Sequence, residues 1–556
     1  MDGGRGTTGP QHGTWLPAGG RPGRDAVLQV RDGGAVRRLS YGELTARVER
    51  LAGWLQRRGA AGRRVLVAVE EGPAAAVAVL GCLRAGAVAV PVPPPSASRA
   101  AAQRTAAVVR DAAASLALTE SAHAAELSQT LSLAGFGDLE CLAVDTGPAE
   151  SADGAAAPRI GPDSPALLQY TSGSTAAPRG VLVTHGNLLA TMTAVRGALG
   201  TGPDARIGGC LPLHHDLGLV GQLLHPLWLG ATAVVLPVRP VLRDPVRWLE
   251  EIARHGVTVS AAPDSLYARC LGALTDERVA ALDLSRWRTA VDAAEPVSGA
   301  TLRAFARRLA PAGLDPRALA AGYGLAEATL MVSVSAPGAA GRAPTDERAA
   351  VSCGPAHGAE VRIVDPDSHA VVSEGREGEI WVRGPAVAAG YWNRPLDTAE
   401  TFGRSTAEGE RGFLRTGDLG RLTGGEIRVT GRLKDLMLVD GAPLHPHDLE
   451  RVLLENGPPF VSAAVFALAA SAAADRVVVV QEVRQSGGAR WDPDRLVGTV
   501  RRGLDEEFGV TPYEVVLVRP GTVRRTTSGK VRRSVMREMY LRGELRPLFT
   551  EGRAAA

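Results

Sequence analysis

The feature that most restricts the fold is a recurring alternation between short β-branched apolar runs and amphipathic stretches. Arg64–Glu70, Ala87–Val92, Thr232–Leu236, Val257–Ala261 and Thr289–Val291 read as strands, with helical stretches such as Pro245–His255 between them. Strands that are apolar on both faces and separated by helices belong in parallel sheets covered on both sides. The expected class is therefore α/β, with a large N-terminal domain of layered α/β subdomains. The longest apolar run, Pro73–Val92, is broken by Arg84 and two glycines, which predicts a buried helix followed by a buried strand rather than a membrane span.

Beyond Val361 the pattern changes to short strands around Gly-containing turns, Glu379–Arg383 and Glu426–Thr430 among them, so a β-rich subdomain is expected there. After Lys434, strands at Arg476–Val483 and Tyr513–Val518 and helices at His447–Glu455 and Asp494–Phe508 suffice for a small α+β domain. The division predicted is 1–433 and 434–556, with Asp145–Pro165 a surface linker and Pro547–Ala556 a short tail.

Charge and cysteine content exclude several classes. Over 556 residues, 62 basic and 59 acidic side chains leave a net charge of +3, and no Lys/Arg run has the density that phosphate backbones require. A nucleic-acid partner is not expected. The five cysteines are scattered and form no C-x-x-C pair, which argues against a disulfide framework or a zinc site. The Gly-rich start lacks the pattern of a signal peptide, so a cytoplasmic protein without integral membrane association is expected.

Only two lysines, Lys434 and Lys530, occur; the other 60 of the 62 basic residues are arginine. Lysine is a compact ammonium and arginine a planar fork, so a site needing a point charge resists the exchange. The segment Thr171-Ser172-Gly173-Ser174-Thr175, followed by Arg179, stands between two apolar runs, Ala166–Gln169 and Val181–Val183. Its hydroxyls and backbone N–H groups suit phosphate oxygens, though it is no Walker A loop.

With its neighbours, this segment resembles the adenylate-forming superfamily of acyl- and aryl-CoA ligases and peptide-synthetase adenylation domains. The blocks that carry the resemblance are Tyr170–Gly180, Tyr323–Thr329, Gly378–Gly384, Tyr391–Asn393, Arg415–Gly420, Gly431–Asp435 and Arg525–Lys530, in the family's order. The resemblance implies ATP and Mg2+ as cofactors and a C-terminal domain that is mobile. It implies that Thr171, Ser172, Gly173, Ser174, Thr175 and Arg179 meet phosphates, and that Ala294, Glu295, Tyr323 and Gly324 line the nucleotide site. Glu327 would hold Mg2+, Asp418 the ribose hydroxyls and Arg432 ribose or phosphate. Lys530 would bridge the attacking carboxylate and the α-phosphate, and Lys434 would mark the hinge. Arg179 stands where the family usually has lysine.

Leu168–Tyr170, Leu211–Leu219, Asp283–Arg288, Ala294–Pro296 and Ser352–Gly354 are most similar to the fatty acyl-AMP ligases, which load carrier proteins. There His215 would stand beside the reacting carboxylate. The insertion typical of that branch is shortened here to Leu330–Val351, which leaves carrier protein or CoA open as the acceptor; a carrier protein would act in trans. Asp264 and Asp292 stand where that branch usually has Asn, and His214 replaces an aromatic. A carboxylate in an acyl pocket is costly unless it is paired. Either the substrate bears an amino group or these acids face solvent or nucleotide. Alternatives are an aryl- or acyl-CoA ligase, an adenylate-forming diazotase using nitrite and an aryl amine, and a non-catalytic nucleotide-binding relative.

Overall fold

The computed structural model describes residues 22–96, 98–146, 158–171, 178–336, 338–339, 350–439, 442–455, 457, 459–469, 475–484, 492–526 and 530–552. The chain divides into two compact units, Met1–Thr416 with Leu422–Arg428, and Gly417–Arg421 with Val429–Ala556.

The larger unit is built on two mostly parallel sheets. One runs in the order Glu140–Ala143, Leu116–Thr119, Arg64–Val67, Val88–Pro91, Pro165–Thr171 and Arg179–Thr184, parallel except for its last strand. The other has eight strands in the order Met331–Val334, Leu319–Gly324, Thr289–Asp292, Val259–Ala262, Arg206–Gly209, Thr232–Val235, Asp25–Val30 and Val36–Ser40, with only the outermost strands antiparallel. The apolar run at Pro73 folds as expected: helix Pro73–Ala85 ends on Gly86 at φ 69°, and strand Val88–Pro91 follows.

That helix is apolar all round because it is enclosed. With helix Tyr41–Arg57 it belongs to a core in which Leu51, Val77 and Leu80 meet Val65 and Ala89 of one sheet and Val27 and Val235 of the other. Each such side chain contributes about 1.5–3 kcal/mol of burial. Gly81 lets the two helices approach, since a Cβ there would stand 2.6 Å from Leu51 Cδ2. Helix Tyr41–Arg57 starts on a capping box, Ser40 Oγ accepting from Glu43 N and Glu43 accepting from Ser40 N. The expected β-rich part contains strands Ser352–Pro355, Glu360–Val364 and Gly378–Arg383, joined by segments of Arg411–Thr423 and Glu426–Arg432.

The smaller unit has a four-stranded sheet, Phe460–Ala469, Asp475–Val483, Glu514–Val518 and Phe549–Gly552, with helices Pro446–Glu455, Pro493–Phe508 and Arg533–Leu541. The last residues are not simply a tail: Phe549–Gly552 pairs antiparallel with Glu514–Val518 as an edge strand. Of the linker read from the sequence, residues 147–157 lie outside the described part. Among the described residues, no helix is long and apolar enough to cross a membrane, and the five cysteines are free.

Candidate functional site

The site follows from the sheet order. Strands Arg206–Gly209, Val259–Ala262, Thr289–Asp292 and Leu319–Gly324 are adjacent and parallel, so their C-terminal ends share one edge. The segments leaving that edge carry His214 and His215, Asp264, Asp292 with Ala294 and Glu295, and Tyr323 with Gly324 and Glu327. Crevices at the carboxyl ends of parallel strands are where open α/β sheets bind ligands.

Each segment is tied down. Gln222 accepts from Leu211 N at 3.3 Å and donates to Ala261 O at 2.9 Å, linking the His214 segment to the next strand. Gln169, two residues before Thr171, donates to His214 O at 2.6 Å. Gly218 closes the turn, because a Cβ there would lie 2.2 Å from Pro212 O. The following helix, Leu217–Leu224, is a π-helix, a form that recurs at functional sites. The rings of His214 and His215 are 5.2 Å apart. His214 lines a small pocket with Val67, Val79, Val92, Leu213 and Glu71. Burial lowers its pKa to about 3, so the ring is neutral, and Glu71 is shifted upward by the same cause.

Glu327 sits in a single turn after strand Leu319–Gly324, and its Oε1 accepts from the Tyr391 hydroxyl at 2.8 Å. Burial and that carboxylate push the Tyr391 phenol well up, so it stays a donor. Glu327 Oε2 has no donor among the described residues, which fits a hard cation seeking carboxylate oxygen. Arg179 lies over the Tyr391 ring, 5.7 Å from its centroid, and pairs with Asp397 at 3.6 Å. Thr171 and Arg179 are register partners on antiparallel strands Pro165–Thr171 and Arg179–Thr184; Ser172, Gly173, Ser174 and Thr175 lie outside the described residues. Tyr391 was missed by sequence reasoning as a site residue, although its block was visible.

Two backbone outliers flank this edge. Ala294 has φ 73° and Thr329 φ 66°, the latter held by Oγ1 donating to Ala386 O at 2.6 Å. Left-handed conformations in such residues cost about 1–3 kcal/mol and gather at binding sites. Gly324 is required by space, since a Cβ would fall 1.8 Å from Leu330 O. Tyr323 is buried opposite Ser333.

The two aspartates come together. Ala262 and Asp292 are register partners, and Asp264 opens the helix after Ala262. Asp264 accepts from Ser298 N at 2.9 Å, and its carboxyl and that of Asp292 act on one another as like charges. Burial raises Asp264 to about 6 and Asp292 well above the carboxylate range. Asp292 is 0% exposed, so for this residue the reading of a solvent-facing acid is overturned. Glu295 accepts from Ser265 N at 2.9 Å.

In the smaller unit, buried Asp418 pairs with Arg432 Nε at 2.8 Å. Lys434 occupies the turn Leu433–Asp435, and Asp435 is fixed by Arg533, which also grips Glu450. Lys530 N–H donates to Thr526 Oγ1 at 3.0 Å, beside the antiparallel bridge of Arg525 with Val531.

Comparison with known proteins agrees with this geometry. Residues 17–392 match the model of the AMP-binding enzyme family. Over 538 residues the chain is 37% identical to the medium-chain-fatty-acid–[acyl-carrier-protein] ligase JamA of Moorena producens, covering 92% of this chain and 91% of that one. It is 34% identical over 521 residues to the 4-hydroxyphenylalkanoate adenylyltransferase of Mycobacterium tuberculosis, covering 87% and 83%. Among solved structures, a fatty acyl-adenylate ligase from a study of the E. coli and L. pneumophila enzymes superposes with TM-score 0.84 at 29% identity, covering 97% of this chain and 99% of the other. The chain belongs to the AMP-binding enzyme family and is an adenylate-forming ligase that activates an acid. None of these relatives is a diazotase, which leaves that alternative without support.

Proposed function

We propose that the enzyme activates a carboxylic acid with an apolar chain as its acyl-adenylate, releasing pyrophosphate, and passes the acyl group to the phosphopantetheine thiol of a carrier protein acting in trans. The observation that carries this reading is the convergence of His215, Tyr323 and Glu327 on one sheet edge. The likeness to a carrier-protein ligase over nearly the whole of both chains supports the choice of acceptor.

In the first step a carboxylate oxygen attacks the α-phosphorus and the bond to pyrophosphate breaks. Such transfers depend on positioning and on charge neutralisation. Thr171 and Arg179 begin and end the hairpin that would hold the pyrophosphate portion. Glu327, oriented by Tyr391, would hold Mg2+, which when bound neutralises phosphate charge. His215 is assigned to the reacting carboxylate, and Tyr323 with Ala294, Glu295 and Gly324 to the nucleotide. Asp418 and Arg432 are assigned to ribose, Lys530 to the charge that builds between carboxylate and α-phosphate, and Lys434 to the hinge of the domain 434–556.

Acid-dependent exchange of pyrophosphate into ATP tests the first step. Mass measurement of a phosphopantetheinylated carrier protein, with CoA as the competing acceptor, tests the second. Acylated carrier protein is expected; acyl-CoA alone would transfer the assignment to an acyl- or aryl-CoA ligase.

A further inference from the structure

The reading above gives the Asp264–Asp292 pair no task, yet the pair is built into the same sheet edge. Asp292 ends strand Thr289–Asp292 with no exposed surface, and neither carboxyl oxygen accepts an N–H or hydroxyl among the described residues. Asp264 is restrained from the other side by Ser298 N at 2.9 Å and Thr301 Oγ1 at 3.5 Å. Two more buried polar groups lie close by and have no partner among the described residues: the Tyr267 phenol, 0% exposed, and the Ser260 hydroxyl, on the strand that leads to Asp264. Trp248, Trp287 and Phe305 enclose the region, with Trp248 5.2 Å and Phe305 4.9 Å from the Tyr267 ring.

Among the described residues, the ionisable groups that act on Asp292 and on Tyr267 are all acidic. The ionisable groups that act on Asp292 are Asp264 and Glu295, both carboxyls, and those acting on Tyr267 are Asp292, Asp264 and Cys270. Two carboxyls this close cannot both ionise, so one proton serves the pair and a single negative charge remains. A buried net charge among aromatic rings is unfavourable without a counter-ion. A substrate hydroxyl would satisfy a lone pair but leave that charge; an ammonium supplies both the charge and three donors.

We propose that Asp264 and Asp292 form the specificity site of the enzyme, and that the acid it activates carries an amino group whose ammonium the pair receives. This inference rests on the acid-activating reading and names its substrate class.

The test is pyrophosphate exchange with medium-chain acids of equal length, unsubstituted, hydroxylated or aminated at the β position or the chain terminus. One amino isomer should exceed its unsubstituted and hydroxylated counterparts in kcat/KM by at least about 30-fold, the range for truncating one partner of a buried charge pair. In Asp292→Asn that ratio should fall to near one. Asp264→Asn, whose side chain can still accept from Ser298 N, provides the same readout should Asp292→Asn fail to fold. Exchange that is strongest with unsubstituted acids, or a preference untouched by either substitution, overturns the assignment. Exchange with no acid at all overturns the acid-activating reading itself, and this assignment with it.

Discussion

The Tyr391 hydroxyl donates to Glu327 Oε1 across 2.8 Å, joining a turn at the end of one sheet strand to a loop 64 positions later. The Tyr391 ring in turn lies beneath Arg179, whose guanidinium carbon is 5.7 Å from its centroid. One phenol thus links Glu327 to the side of the ring on which Arg179 rests.

Tyr391→Phe keeps the ring and deletes the bond. Hydrogen bonds to charged groups contribute about 1.5–3 kcal/mol, so half-saturation by Mg2+ in the exchange assay should rise about 10-fold, with the fold unchanged by circular dichroism. An unaltered Mg2+ dependence would show that Glu327 is not oriented for the metal by this contact.

Lys530→Ala and Lys530→Arg should both lose about 100-fold or more of the adenylation rate while still binding ATP. The role asks for a point charge, and the guanidinium fork does not reproduce one. Recovery of most of the rate in the arginine variant would remove the physical reason offered for lysine at this position.

The extent to which these features were legible in the sequence differed with range. Helix Pro73–Ala85 and strand Val88–Pro91 were readable because an all-apolar helix and its Gly stop are local signals. The edge strand Phe549–Gly552 was not: its pairing with Glu514–Val518 is decided by a distant partner. Asp264 and Asp292 could be singled out individually as carboxylates in an apolar context. That they are brought together follows only from the register of Ala262 with Asp292, a property of the sheet. The Tyr391–Glu327 bond likewise has no local trace.

Gly324→Ala places a Cβ 1.8 Å from Leu330 O, and a backbone carbonyl cannot swing aside as a flexible side chain would. Overpacking of this kind costs about 1–3 kcal/mol, and backbone contact belongs at the upper end. The first calorimetric transition should fall by several degrees and take nucleotide binding with it. An unchanged transition would mean that the strand end relaxes freely.

Buried His225 contacts Thr201 Oγ1 through Nε2 at 2.9 Å, and burial lowers its pKa to about 4. The unfolded chain, with its ordinary value near 6.5, binds the proton first. The stability due to the neutral ring is therefore complete above about pH 6.5 and lost as pH falls toward 4. Between pH 7 and 4.5 the native protein should lose about 2 kcal/mol more than His225→Gln in urea unfolding. Parallel losses in both proteins would contradict a neutral buried imidazole.

Activation of a carboxylic acid at the strand-end cluster is read out by acid-dependent exchange of labelled pyrophosphate into ATP. Exchange is expected to require both Mg2+ and a carboxylic acid and to disappear in Lys530→Ala. ATP binding without exchange, across alkyl, aryl and amino acids alike, would contradict it.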